Sequence, residues 1–110
     1  MDVQRKKVGR YIVLSVVDDI GLNSNLSGLY RIFEENVKKG EINIALSFTS
    51  TSYLYSNSVG VLIQCYEMLK EKGGKLVLFD PNESIMDIFR MLNIVDKVLI
   101  VKSENDLLNA

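Results

Sequence analysis

Few residues in this chain could do chemistry, and their spacing narrows what that chemistry would be. Ser56, Asn57 and Ser58 stand in a row where a polar stretch, Thr49 to Ser52, has given way to Tyr53-Leu54-Tyr55 and a helical pattern begins. Any of the three could cap that helix by accepting a hydrogen bond from its first free N–H groups. A hydroxyl in the same place could equally take a phosphate, because the positive end of the helix dipole stabilises a dianion and unpartnered N–H groups bind its oxygens. Position in the sequence leaves both readings open.

Asp18-Asp19 is the second candidate. The pair directly follows an apolar run, the place where a response-regulator receiver domain gathers carboxylates around magnesium. Such a site also needs an aspartate to accept the phosphoryl group at the end of a later strand. Here the matching strand ends Ser47-Phe48-Thr49, so the pair reads as solvated loop residues that stop a strand. Cys65 sits beside Tyr66 inside a helical pattern with no His to activate it, and reads as a small packing residue. Gly9 and Gly73-Gly74 belong to no phosphate-binding fingerprint and read as turn glycines with positive backbone angles. With no His and a single Cys, a His-based triad, a Cys/His zinc site and an internal disulfide are all excluded. No catalytic residue, metal or cofactor is expected, and the chain reads as a non-enzyme.

The elements that must position these residues follow from periodicity. Tyr11 to Val17 is a β-branched apolar run of strand length, continuous enough to be covered on both faces. Met1 to Lys7 forms a weaker edge strand joined to it through Val8-Gly9-Arg10. From Ser24 to Lys39, Leu26, Leu29, Tyr30, Phe33 and Val37 share one helical face, stopped by Gly40. Ile42 to Phe48 is the next strand. Val59, Leu62, Ile63, Tyr66 and Leu69 then define a second helix ended by Gly73-Gly74. Lys75 to Phe79 is a buried strand halted by Asp80-Pro81, and Ile85, Ile88, Phe89 and Leu92 mark a third helix with capping chemistry in Pro81 to Ser84. Lys97 to Val101 is the last strand, and Ser103 to Ala110 a short closing helix. Strands alternating with helices imply a mixed, mostly parallel sheet with four α-helices, antiparallel only at the opening hairpin.

The 110 residues show no linker or repeat and make one domain, residues 1–110, that buries about two-thirds of its unfolded surface. Thirteen basic against fourteen acidic residues leave a charge of -1, which argues against nucleic-acid binding, and the run Arg5-Lys6-Lys7 with Arg10 is too short to change that. No apolar stretch approaches the ~20 residues of a membrane span, and Ser15, Asp18 and Asp19 interrupt any signal-peptide core. A cytoplasmic protein without membrane insertion is expected.

At this point the sequence resembles the STAS domains of anti-sigma factor antagonists. The family motif, an acidic or amide residue followed by Ser, Ser/Thr, Gly, Leu and Gly, aligns on Gly60-Val61-Leu62, so that its phosphorylated serine falls on Ser56. Its second small polar residue falls on Asn57, its first glycine on Ser58 and its aliphatic position on Val59. The likeness extends over nearly the whole chain, including Gly73 to Leu78, the Pro81 region and Leu92 to Lys97. It implies a STAS-like α/β fold and a domain that binds an anti-sigma factor or serine kinase protein and so regulates sigma-factor-dependent transcription. Phosphorylation at Ser56 would weaken that binding, and Ser24, Asn25, Tyr53, Tyr55, Asn57 and Ser58 would line the contact. The chain departs from the motif at Tyr55, at Ser58, at Ser47 where the preceding strand usually ends in an acid, and at Gly21, where a further acid is usual. These departures motivate an alternative: a non-phosphorylated STAS scaffold or accessory subunit of a signalling or transport complex.

Overall fold

A computed structural model describes residues 1–110, apart from the side chain of Val95 in the Leu92 to Lys97 stretch. The strand Tyr11–Val16 (β2) lies inside the sheet with side chains buried on both faces, as the unbroken apolar run requires. Val3–Val8 (β1) pairs with it antiparallel, Val3 opposite Val16 and Val8 opposite Tyr11. Asn43–Ser47 (β3), Lys75–Phe79 (β4) and Leu99–Val101 (β5) add on in parallel, giving the sheet order β1-β2-β3-β4-β5.

Each parallel step moves one strand along the sheet in the same direction, so right-handed crossovers must put every connecting helix on the same face. Ser27–Lys38 (α1), Ser56–Glu71 (α2) and Glu83–Met91 (α3) do lie there, packing Leu29, Phe33, Leu62, Leu69, Ile85 and Phe89 against Ile12, Leu14, Ile44, Leu46, Leu76 and Leu78. The opposite face carries Val8, Tyr11, Val13, Ala45, Val77 and Val101 and is partly covered by Leu107 of Glu104–Leu108 (α4). Because side chains alternate along a strand, this split of the core into a large and a small layer is set by the register.

Several boundaries are tighter than periodicity alone implies. α1 begins at Ser27 rather than Ser24, because Ser24 is bound into a turn in which its Oγ accepts from the Gly21 N–H at 2.9 Å. β5 is reduced to Leu99–Val101, with Val95–Lys97 in a single 3-10 turn. Gly73 has φ +75° as a turn glycine should, but Gly74 is needed for another reason: a Cβ there would stand 1.9 Å from the Ile42 carbonyl oxygen. The basic residues of the hairpin are engaged as structural ties. Arg5 Nε donates to Asn36 Oδ1 at 3.0 Å, Lys6 pairs with Glu104 at 2.7 Å, Lys7 with Glu41 at 3.1 Å, and Arg10 donates to the Ala110 carbonyl at 2.8 Å.

Candidate functional site

Ser56 is the first helical residue of α2, exposed at the end of the sheet where the parallel strands terminate. The residue in the N-cap position is Tyr55, extended at φ -91° and ψ 170°, and no side chain accepts from the first-turn N–H groups. Ser56, Asn57 and Ser58 are therefore inside the helix and are not its caps. The first helical bond runs from the Val59 N–H to the Tyr55 carbonyl at 2.9 Å, so the N–H groups of the three preceding residues form the open positive end of the dipole.

Three polar anchors hold the loop that delivers Ser56. On the β2 side, the Tyr53 N–H donates to the Ile20 carbonyl at 2.8 Å and the Ile20 N–H to Ser52 Oγ at 2.9 Å. Beside them, Thr49 and Thr51 both donate to Asp19 Oδ1, Thr51 at 2.8 Å. Since the carboxylate can only accept, Thr49 donates to it and receives in turn from Ser52 Oγ at 2.8 Å. The Thr49 hydroxyl first, and then that of Thr51, hold the Asp19 carboxyl below its ordinary value. The pair Asp18-Asp19 is thus more than a solvated strand stop: Asp18 Oδ2 accepts from the Asp2 N–H at 2.8 Å, and Asp19 braces the loop before Ser56. The third anchor is Asn82, whose Nδ2 donates to the carbonyls of Ser52, Ser50 and Thr49 at 2.8, 3.1 and 3.4 Å.

The expected contact residues are only partly brought together. Asn57 Nδ2 donates to the Ser24 carbonyl at 3.2 Å, which draws Ser24 and the neighbouring, exposed Asn25 to the start of α2. Tyr53 and Tyr55, 46% and 39% exposed, stand with ring centroids 4.8 Å apart and a tilt of 55°. Ser58 differs. Expected at the rim, it is fully buried under α2 and its Oγ has no hydrogen-bond partner, so it cannot touch a docked protein. Ser47 lies away from Ser56, in a groove on the α4 face with Gln4, Ser15, Phe79 and Glu104. Gly21 brings no carboxylate to the loop, and Asp19 two residues earlier does so instead. Cys65 is wholly buried, and burial pushes its thiol from 9.0 up to about 12, which leaves it protonated and inert.

A groove of about 590 Å³ runs from Ser56 between α2 and α3, lined by Tyr53, Leu54, Tyr55, Val59, Ser84, Asp87, Ile88, Met91 and Leu92. Met91 is 77% exposed on its far lip. The α3 lip is the part sequence reasoning missed, although Met91 falling off the buried face of a helical pattern was a readable signal.

A largely parallel sheet with α1, α2 and α3 on one face and α4 on the other, an exposed serine at an uncapped helix start and an apolar groove beside it define a small α/β domain. Residues 3–107 match the STAS domain model, and the chain belongs to the STAS domain family. Among solved structures it is similar to a Thermotoga maritima protein provisionally described as an anti-sigma factor antagonist, with TM-score 0.81 at 22% identity over 97% of this chain and 92% of that one. It is also similar to the anti-sigma factor antagonist SpoIIAA, the Bacillus cell fate determinant. The phosphorylated form gives TM-score 0.75 at 16% identity, covering 96% of each chain. The unphosphorylated form gives TM-score 0.70 at 16% identity, covering 98% of this chain and 96% of that one. At these identities the likeness is one of fold. No curated protein sequence matches the chain. Among the described residues, no helix is long and apolar enough to cross a membrane.

Proposed function

We propose that this STAS domain is an anti-sigma factor antagonist that docks an anti-sigma factor or serine kinase protein through the Ser56 groove and is switched by phosphorylation at Ser56. The observation that carries the reading is the position of Ser56: exposed, first in a 16-residue helix with no side-chain cap, on the rim of an apolar groove. A phosphate there would add about two negative charges. Within the domain those charges would meet free N–H groups and the positive dipole end. Against a docked partner they would have to be desolvated, which weakens the complex. Tyr53, Tyr55 and Asn57, with Ser24 and Asn25 behind them, supply one lip of the contact. The action is binding alone, within the cytoplasm.

The test is phosphopeptide mass spectrometry on the protein and its partners recovered from native cells, compared with Ser56→Ala. Phosphate on Ser56 that vanishes in the variant, and about a tenfold or greater loss of partner affinity in Ser56→Asp, or ~1.4 kcal/mol, are the expected results. Undiminished phosphorylation of Ser56→Ala would remove the site assignment. One observation favours the second reading, a non-switching scaffold or accessory subunit: Asp19 is engaged by Thr49 and Thr51 rather than presented beside Ser56 for a kinase to read. On that reading Ser56→Asp leaves the partner's affinity unchanged.

A further inference from the structure

The groove has two lips, one formed by loop 49–55 with the start of α2, the other by α3. Among the described residues, every hydrogen bond that joins loop 49–55 to α3 and its cap is made by Asn82. Its two amide atoms face opposite ways. Oδ1 accepts from the Ile85 N–H at 2.9 Å and so caps α3, while Nδ2 reaches three carbonyl acceptors in the loop, those of Thr49, Ser50 and Ser52, the last at 2.8 Å. Asn, Asp and Ser cap helices about equally well. The amide alone adds an NH₂ donor that can be shared among several carbonyls. The choice of Asn at this cap is therefore explained by the loop and not by the helix.

We propose that Asn82 is a positioning residue for the Ser56 switch. Through Nδ2 it sets the spacing of the two lips, and so the presentation of Ser56 and Tyr55 to whatever enters the groove, independently of its capping of α3. The inference rests on the reading of the Ser56 groove as the docking and modification surface. Because Asp19, Ile20 and Leu54 still hold the other side of the loop, losing Nδ2 frees the loop from α3 without unfolding it.

Asn82→Ser keeps a capping oxygen and removes the amide donor. Two measurements on the full chain test it: amide hydrogen exchange, and the rate at which a lysate of the native cells with ATP labels Ser56. Exchange at Ser52 and Tyr53 should accelerate about tenfold or more while Ile85 and Phe89 stay within about twofold of wild type. Labelling should fall about fivefold with a raised apparent KM for the chain. Unchanged exchange at Ser52 and Tyr53 would overturn the proposal. So would α3 losing protection in step with the loop, since Asn82 would then be a helix cap and nothing more. If the lysate fails to label the wild-type chain, the phosphorylation reading falls, and the exchange at Ser52 and Tyr53 alone decides the role of Asn82.

Discussion

The starts of α2 and α3 lie on opposite sides of one groove and are built in opposite ways. α3 is closed: Asn82 caps it through Ile85, and Glu83 places a negative charge in its first turn. α2 is open: the Tyr55 side chain makes no cap bond to the first-turn N–H groups, and no acid occupies that turn. A capped, acid-led helix start has already satisfied the dipole that would hold an added anion, whereas an uncapped one has not. Under the proposed switch, the contrast favours a phosphate on Ser56 over one on Ser84, which lines the same groove.

The largest effect that would sharpen this contrast is on stability. Asn82→Ala removes a cap and three amide contacts and should cost about 2 kcal/mol, read from urea unfolding. Ser56→Ala, at a helix start that uses no side chain, should cost less than about 0.5 kcal/mol. Equal losses would erase the difference between the two ends. Next comes an attempt to close α2. Tyr55→Ser should be more stable than Tyr55→Ala by about 1 kcal/mol, the comparison with Ala cancelling the lost contact between the Tyr53 and Tyr55 rings. A zero difference would mean that the N–H groups already have partners.

A smaller change is expected just inside α2. Ser58→Ala removes a buried hydroxyl that bonds to nothing and improves helix propensity, so the melting curve should show a gain of about 0.5 kcal/mol. A loss would indicate that Ser58 Oγ is bonded in solution. The least effect belongs to Asp19. Its carboxyl is held below the ordinary 3.8 in the folded chain, so the stability it lends is full above that value and drains away as pH falls through the lowered one. An NMR pH titration should show the amides of Thr49 and Thr51 shifting with Asp19 in acid, a shift that Asp19→Asn abolishes.

Much of the fold was legible because it rests on local patterns. The unbroken run from Tyr11, the helical spacing of Leu29 and Phe33, and Asn82 before Ile85 each act within a few residues. They place strands and helices correctly and leave only their ends adrift, as at Ser24 and Lys97. The candidate site was legible less completely. Ser56 could be located, but Ser58 was assigned to the surface because its small polar side chain resembles those of its exposed neighbours. The helix turns 100° per residue, and two steps from Ser56 that rotation carries Ser58 into the core.

The sequence by itself determined the order of elements, the parallel sheet, the absence of His chemistry and the serine at the head of α2. All of these follow from residue type and short-range periodicity. Only the tertiary structure decided that Asp19 braces the loop, that Asn82 links it to α3, that Gly74 makes room for the Ile42 carbonyl and that Met91 completes a groove. Those contacts join residues about 30 to 40 positions apart, and which side chain meets which backbone group across such a span depends on how the loops close over the sheet.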